Sequence, residues 1–474
     1  MKKAPLIILI SCVAWQILYY LFAPKQAYMQ GLLESWYASQ GLIFYRDMTN
    51  AYLPFLKFGM WAFHSVFGYS LVLSAALSPL LSIVIILFLY YLRRNSRGVY
   101  SIAPVVFFTM WNSYLGGNMF SVTSFLGLLL LITYVLWEKC WSEPKVMTAL
   151  MFGVFCSVSI LTLQIVAPFV SFLCLSFVVR AMKKNRKLFL PFFVGGIVPV
   201  LLVLLWAYSA GILTEFFYWN FWYYFGGYPY ASLGKDVSTI AVFIAIHVPI
   251  VLYVLSKKYV LGSISILVLM STFWFAVFHP MRFQISLPII ALVYGIGLEN
   301  RGKSKFANFV AGGTIALSGF VFVLYATPYY RTALSVKNTN RLVSEVYKGD
   351  PMYDAVAWVK GNTPTDAKIF VLADTYFYLA AKRLPVNPRS ALGVEPILFY
   401  PISTFTQEIR STPPDYWAID ERLFISYSNW GSDDVTAVIK GFLQCQTVTA
   451  TFDYWKIYKT TDPNFSCSEL GESR

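Results

Sequence analysis

The chain has 474 residues, of which 58% are hydrophobic and 13% are charged, and its mean hydropathy is +0.60. Soluble proteins carry about 25% charged residues, so we expect most of this chain to lie in lipid. The formal net charge of +14 and the pI of 9.3 therefore do not indicate a nucleic-acid-binding or cytosolic protein. The composition predicts an α-helical polytopic membrane protein.

Apolar segments recur along the chain, and each can cross about 30 Å of hydrocarbon at about 1.5 Å per residue. Residues 1–23 begin like a secretory signal but lack a convincing cleavage site, so we expect a retained first span. Segment 52–69 is either an interfacial helix or a twelfth, poorer span. The eleven predicted transmembrane helices are 4–23, 70–92, 98–115, 119–137, 147–163, 164–179, 188–210, 237–255, 259–277, 283–298 and 306–327.

The short loops predict the orientation, because Lys and Arg concentrate on the cytoplasmic side of a membrane. One set of loops holds 17 basic residues and the opposite set holds 5. We therefore predict a cytoplasmic N-terminus, and eleven crossings then place the C-terminal part on the extracytoplasmic side. Residues 1–327 carry 22 basic and 7 acidic side chains, so the positive charge is mainly a topology signal.

From about residue 335 the composition becomes that of an ordinary soluble domain. We predict a transmembrane domain at 1–334, with a first external loop at 24–69, and a small extracytoplasmic α/β domain at 335–474. Cys445 and Cys467 are candidates for a disulfide in this tail. The predicted tail helices are 352–361, 375–383 and 433–444, and the predicted strands are 368–373, 415–420, 446–452 and 454–459.

The predicted spans contain no Asp, Glu, Lys or Arg, and His247 is their one titratable candidate. Carriers that couple to ions keep such residues within the membrane, so this pattern argues against an ion-coupled transporter. The charged residues lie in the external segments instead. In the first loop, residues 28–40 have apolar side chains at helical spacing, which predicts an amphipathic helix at the membrane interface that Gly41 ends.

Three stretches form a recognisable pattern. In the first loop these are GLL at 31–33, GLIFYRD at 41–47, Pro54 and Phe67-Gly68; the others are LTLQ at 161–164 and HPMRF at 279–283. They resemble motifs of the bacterial C-type integral-membrane glycosyltransferases, which include protein O-mannosyltransferases and lipid A aminoarabinose transferases. The layout of about eleven spans followed by an external α/β tail is also similar.

The resemblance implies transfer of a sugar from a polyprenyl-phosphate carrier to an acceptor hydroxyl at the extracytoplasmic face of a bacterial inner membrane. Most relatives carry an Asp-Glu pair just after the first span, and its Asp is the expected base. Here residues 24–28 read PKQAY, so no base is carried over to that position. The acceptor is a glycan, lipid or protein that the sequence does not identify.

An inverting transfer needs a carboxylate to accept the acceptor's proton. Before the tail, the external acidic residues are Glu34, Asp47, Glu215 and Asp236. Asp47 is the first candidate as base or acceptor-positioning group, with a local pair to Arg46 or a helix cap as the alternative. Glu34 is the second candidate, with a solvated helix face as its alternative.

The phosphate leaving group needs cations. Arg46, Lys57, Lys235 and Arg282 are the candidates, and Arg282 has a snorkelling anchor as its alternative role. His279 beside Arg282 and Tyr45 beside Arg46 complete the predicted substrate-binding set.

Eleven of the fifteen residues from Phe216 to Tyr230 are aromatic, typical of an interfacial belt or of an entry for a prenyl chain or sugar. No zinc constellation or phosphate-binding glycine loop is present in the sequence, so neither a metal nor a cofactor is indicated. A transporter or flippase of lipid-linked saccharide is the alternative function. A noncatalytic assembly or receptor protein is a third hypothesis.

Overall fold

The structure is a computed structural model. It describes residues 3–22, 29–48, 53–96, 98–116, 120–222, 236–255, 260–275, 279–300, 305–328, 351–372, 376–386, 402–424 and 433–465.

The membrane part consists of α-helices joined by short loops and 3₁₀ turns. In chain order these helices are α1 (Lys3–Phe22), α2 (Met29–Ser39), α3 (Pro54–Phe67), α4 (Leu71–Arg93), α5 (Ala103–Tyr114), α6 (Val122–Ser142), α7 (Val146–Ile160), α8 (Ala167–Lys184), α9 (Phe189–Ser209), α10 (Leu213–Phe217), α11 (Val237–His247), α12 (Ile250–Leu255), α13 (Val260–Phe275), α14 (Leu287–Asn300) and α15 (Lys305–Val321). Two π-helical turns, Tyr218–Trp222 and Phe322–Ala326, follow α10 and α15.

Each predicted span coincides with a helix of the structure, which confirms the polytopic helical class. Within the described residues, seven segments are long and apolar enough to cross a membrane, and α7, α13 and α14 are shorter apolar helices. The span at 237–255 is divided into α11 and α12 at Pro249, which cannot donate a backbone hydrogen bond. Segment 52–69 forms α3, whose 14 residues are too few to span the bilayer.

One predicted boundary is wrong in a way that matters for charge. The predicted span 119–137 ends before Glu138, but α6 continues to Ser142, so the apolar helix includes Glu138 and Lys139. The half-buried Glu138 accepts a hydrogen bond from the Tyr253 hydroxyl at 3.2 Å. The helix therefore extends past the point where the apolar pattern stops.

Successive spans reverse the chain direction, so the loops alternate between two ends of the bundle. We call the end that carries α2 and α3 the first-loop end, and the other the opposite end. Contacts agree with this arrangement: at the opposite end Arg93 pairs with Glu299, and Trp137 donates to Ser176 at 2.9 Å. The cytoplasmic assignment of the opposite end stays a prediction.

Small residues allow α7 and α9 to pack closely. A Cβ atom on Gly153 would lie 2.1 Å from the Phe192 carbonyl oxygen, and one on Gly195 would lie 2.1 Å from that of Leu150. The two backbones are therefore in contact, as is common between membrane helices with small interfacial residues.

The C-terminal part is an α/β unit with a four-stranded sheet of order β1-β2-β4-β3. β1 pairs parallel to β2, and β4 is antiparallel to both β2 and β3. The predicted strands and helices of the tail are all present, while α18 was not predicted. The elements are α16 (Pro351–Asn362), β1 (Ile369–Leu372), α17 (Tyr376–Ala381), α18 (Ile402–Ser411), β2 (Tyr416–Asp420), α19 (Asp433–Gln444), β3 (Thr447–Phe452) and β4 (Trp455–Lys459).

This unit docks on the loop that carries α2 and α3. Tyr37 of α2 packs edge-on against Tyr378 of α17, with ring centroids 6.4 Å apart, and both side chains are buried. The predicted division between residues 334 and 335 lies outside the described residues and stays a prediction. Cys445 is disulfide-bonded; Cys467, its predicted partner, lies outside the described residues.

Candidate functional site

The first loop contains two helices that pack along each other, α2 and α3. Gly41 follows α2 with φ +88°, a left-handed conformation that suits glycine, and Pro54 is the first residue of α3. Leu32 and Leu33 are fully buried. The predicted helix and its glycine end are confirmed, whereas its position at the membrane interface stays a prediction.

An ion pair is buried between these two helices. Glu34 Oε2 lies 3.9 Å from Lys57 Nζ, and the side chains are 1% and 4% exposed. The alternative interpretation of Glu34 as part of a solvated helix face is therefore wrong, because α3 covers that face. Neither side chain points into open solvent.

Lys57 is held in an apolar surrounding. Its Nζ lies 4.4 Å from the centre of the Tyr45 ring and 5.7 Å from that of Phe44. Burial lowers the pKa of Lys57 from 10.5 to about 8, and the Glu34 carboxylate opposes this shift. The ammonium is therefore stabilised by one carboxylate and the aromatic faces rather than by water.

Tyr45 connects this pair to the rest of the site. It is fully buried and has φ +71°, which is rare for a bulky residue and stores strain that the surroundings must hold. Its ring packs edge-on against Phe216 and Trp206, with centroids 5.5 and 6.2 Å away. Its hydroxyl hydrogen-bonds the side chain of Asn220, and burial raises the pKa of Tyr45 well above its usual value.

The left-handed turn at Tyr45 presents Arg46 and Asp47 at the surface of the loop. The Asp47 carboxylate accepts the Ile43 N–H at 2.7 Å and two Arg46 N–H groups at 3.0 Å each. The side chains of Arg46 and Asp47 are 47% and 22% exposed. The hydrogen bonds to Asp47 raise the pKa of Arg46, and Glu215 acts in the same direction.

The LTLQ stretch lies directly against this loop. The Leu161 carbonyl accepts the Phe55 N–H at 3.1 Å, and Gln164 Nε2 donates to the Asn220 carbonyl at 3.0 Å. Two of the three motifs that are far apart in sequence therefore meet in space. Asn220, which joins them, was missed by the sequence analysis, although it is the one non-aromatic residue in the run FFYWNFW at 216–222.

The third motif lies at the same end of the bundle on a 3₁₀ turn at Pro280–Ile285. His279 caps this turn, and its Nδ1 accepts the Met281 N–H at 3.3 Å. Partial desolvation and Arg282 lower the pKa of His279, while Asp236 opposes the shift. His279, Arg282 and Asp236 thus form a second polar group. Convergence of Arg282 with Asp47 stays a prediction, and Lys235 lies outside the described residues.

The aromatic loop is described as far as Trp222. Phe216 is buried against Tyr45, whereas Phe217, Tyr218, Phe221 and Trp222 are exposed, Trp222 by 77%. The exposed rings suit either a membrane-interface belt or an apolar entry. Residues 223–235 lie outside the described residues.

An apolar cavity of about 490 Å³ lies between α1, α5 and the π-helical turn that follows α15. Its lining includes Trp15, Met110 and Phe322. Within the described ranges, no three His, Cys, Asp or Glu side chains lie close enough together to hold a metal ion.

No protein-family model matches the sequence, and no curated protein matches it. Solved structures do match. Against the crystal structure of ArnT from Cupriavidus metallidurans bound to undecaprenyl phosphate, the TM-score is 0.61 at 12% identity, covering 99% of this chain and 100% of ArnT. This chain has a GT-C-like fold.

The apo form of the same ArnT gives a TM-score of 0.56 at 12% identity, covering 96% of this chain and 97% of ArnT. The mycobacterial arabinofuranosyltransferase AftD gives 0.52 at 12% identity, covering 98% of this chain but 40% of AftD. The GT-C-like fold thus extends over the bundle and the C-terminal unit together. Because the sequence identity to each of these structures is 12%, the similarity supports the fold alone.

Proposed function

We propose that this protein is an integral-membrane glycosyltransferase. It moves a sugar from a polyprenyl-phosphate carrier to an acceptor hydroxyl at the extracytoplasmic face of a bacterial inner membrane, with inversion at the anomeric carbon. The observation that carries the proposal is the meeting of the first loop with the Leu161–Gln164 stretch in a GT-C-like fold: Leu161 accepts the Phe55 N–H, and Asn220 joins Gln164 to Tyr45.

Asp47 is the proposed general base. Its side chain is 22% exposed, so an acceptor hydroxyl can approach it, and the Ile43 N–H and Arg46 stabilise the carboxylate. Glu34 is 1% exposed and 3.9 Å from Lys57, so an acceptor cannot approach it without movement of α2 or α3. We therefore assign Glu34 and Lys57 a positioning role beneath Tyr45.

The proposed reaction needs no covalent enzyme intermediate. The acceptor oxygen attacks the anomeric carbon while its proton passes to the Asp47 carboxylate, and the bond from the anomeric carbon to the phosphate oxygen breaks. Its electron pair leaves with polyprenyl phosphate. Arg282 is proposed to stabilise that phosphate. His279 and Lys235, which belong to the same set of substrate-binding residues predicted from the sequence, are proposed to assist it. The apolar cavity at Trp15 and Phe322 suits part of a prenyl chain.

The test is release of polyprenyl phosphate by purified protein supplied with a panel of polyprenyl-phosphate pentoses and hexoses. Asp47→Asn keeps an oxygen for the Ile43 N–H but removes the base, so we expect release to fall by about 10²–10⁴-fold. Asp366→Asn, on an exposed turn of the C-terminal unit, is the matched control and should behave as wild type.

Equal release by Asp47→Asn and wild type, with equal thermal stability, would remove Asp47 from the role of base. Absence of release with every donor, combined with movement of the intact donor across vesicle membranes, would replace the proposal with the flippase hypothesis.

A further inference from the structure

A partly polar cavity lies at the opposite end of the bundle from Asp47. It has a volume of about 710 Å³ and lies between the ends of α4, α6, α12, α13 and α14. Arg93, Glu138 and Trp141 line its polar part, and Val260, Leu261 and Ile296 line its apolar part. Because these apolar residues belong to membrane helices, the cavity joins a polar site to the depth of the acyl chains.

The carboxylate in this cavity is held in place by tyrosines. Glu138 Oε1 accepts the Tyr253 hydroxyl at 3.2 Å, and that hydroxyl is 2.8 Å from the hydroxyl of Tyr134. One carboxylate oxygen is thus fixed from the protein side. Arg93 is fixed in a similar way, because a terminal nitrogen of its guanidinium pairs with Glu299.

Two buried donors at the cavity remain unused. Arg93 Nε and Trp141 Nε1 are each inaccessible to solvent and have no hydrogen-bond partner in the part of the chain that the structure describes. Buried donors are nearly always paired in folded proteins, and an unpaired one is costly. Trp137, the neighbouring indole, already donates to Ser176 at 2.9 Å. The two unused donors therefore point to a ligand that supplies acceptor oxygens.

The charged residues of the cavity restrict the class of ligand further. A simple anion would gain from Arg93 but face the Glu138 carboxylate, and a simple cation would have the reverse problem. A ligand with both charges satisfies both residues. The rings of Trp137 and Trp141, with centroids 5.6 Å apart, add aromatic faces that favour an ammonium group. Arg180 already covers Trp141, 4.1 Å from its ring centre.

We propose that this cavity binds a zwitterionic aminoalkyl phosphate, the chemistry of an ethanolamine phospholipid headgroup. The phosphate oxygens accept from Arg93 Nε and Trp141 Nε1 once these side chains rotate to turn the two buried donors toward the cavity, and the ammonium pairs with Glu138. The acyl chains of a lipid leave along Val260 and Ile296. The site is distinct from the proposed transfer site because the two lie at opposite ends of the bundle.

The proposal is tested by native mass spectrometry of the full chain. The protein is first placed in an equimolar mixture of phosphatidylethanolamine and phosphatidylglycerol, and the lipid that stays bound after its release is identified. Wild type should retain phosphatidylethanolamine preferentially. Glu138→Gln should abolish this preference, and Trp141→Phe or Arg93→Lys should weaken retention roughly tenfold, as expected when a hydrogen bond to a charged group is lost.

Glu143→Gln and Arg94→Lys are matched controls on the same two helix ends. Glu143 pairs with Lys145 at the surface and Arg94 stacks on Tyr91, and neither lines the cavity. Both should retain lipid as wild type does. Thermal unfolding of each variant separates a binding defect from a folding defect.

Competition with free O-phosphoethanolamine distinguishes the source of the ligand. Displacement of the lipid would show that the headgroup chemistry is sufficient, and its failure would show that the acyl chains are also required; either result supports the site. Equal retention of the two lipids by wild type, or an unchanged preference in well-folded Glu138→Gln, would overturn the proposal.

Discussion

Glu34 and Lys57 face each other across the contact between α2 and α3, with Oε2 and Nζ 3.9 Å apart and both side chains buried. A buried ion pair contributes little net stability, because desolvation of both charges offsets their attraction. Its physical effect is on position: the pair holds Lys57 under the Tyr45 ring, and Tyr45 in turn sets the conformation of the turn that carries Asp47.

The first prediction concerns this pair. Glu34→Gln and Lys57→Met should each destabilise the protein, by up to about 3–5 kcal/mol, because each leaves one charge buried without its partner. The double variant should lose less than the sum of the single losses. Thermal unfolding of the four proteins in one detergent measures the cycle. Strictly additive losses would contradict the coupling.

The second prediction concerns pH. The pKa of Lys57 is about 8 in the folded protein against 10.5 for the exposed group, so the unfolded chain binds more protons between these values. Stability from this residue should therefore rise with pH across that window, by up to about 1.4 kcal/mol per pH unit. Below about pH 8 the full cost of burying the charged form is present.

The measurement is the difference in unfolding temperature between wild type and the Glu34→Gln/Lys57→Met double variant, taken from about pH 8 to about pH 10. The unfolding temperature of wild type should rise relative to that of the double variant as pH rises. Parallel curves for the two proteins would show that Lys57 does not titrate in this window.

The third prediction concerns the close contact of α7 and α9. Gly153→Ala would place a Cβ atom 2.1 Å from the Phe192 carbonyl oxygen, so the helices must separate. Overpacking of this kind costs about 1–3 kcal/mol. Gly312→Ala on α15 is the matched control, because no heavy atom lies within 4 Å of its added Cβ. The unfolding temperature should fall for Gly153→Ala and stay at the wild-type value for Gly312→Ala. Equal unfolding temperatures of the two variants would contradict the close contact of α7 and α9.

The fourth prediction concerns docking of the C-terminal unit. Tyr37→Ala removes a buried ring that packs on Tyr378, at a cost of about 3–5 kcal/mol for a large aromatic side chain. Limited proteolysis should then release the C-terminal unit faster. Tyr353→Ala, on α16 of the same unit and 42% exposed, should be cleaved at the wild-type rate. An unchanged rate for Tyr37→Ala would show that other contacts hold the unit.

Sequence reasoning worked where local patterns act alone. Long apolar segments must form helices in lipid, since each backbone group needs an internal partner. The same holds for the tail strands, whose alternating and buried patterns predicted all four members of the sheet. The helix α18 was missed because its residues 402–411 are mostly polar, although Ile402, Phe405 and Ile409 have the spacing of one helix face.

The arrangement of the site residues could not be predicted from local patterns. A solvated helix face was the alternative interpretation of Glu34, and the amphipathic pattern alone supports that view, but α3 covers this face. Asn220 was overlooked because its role depends on Tyr45 and Gln164, which lie more than 50 residues away along the chain. Glu138 was placed outside a span because apolar composition stops before the helix does.

Local composition is enough to identify the membrane-spanning helices, the α/β tail and a short set of charged loop residues, because burial in lipid and secondary structure follow from it. Which of those charges are accessible depends on the packing of the folded chain. Whether a carboxylate is buried against a lysine, as Glu34 is, or remains partly open, as Asp47 does, depends on which distant helix packs over it. That packing is set by contacts between residues that no local pattern connects.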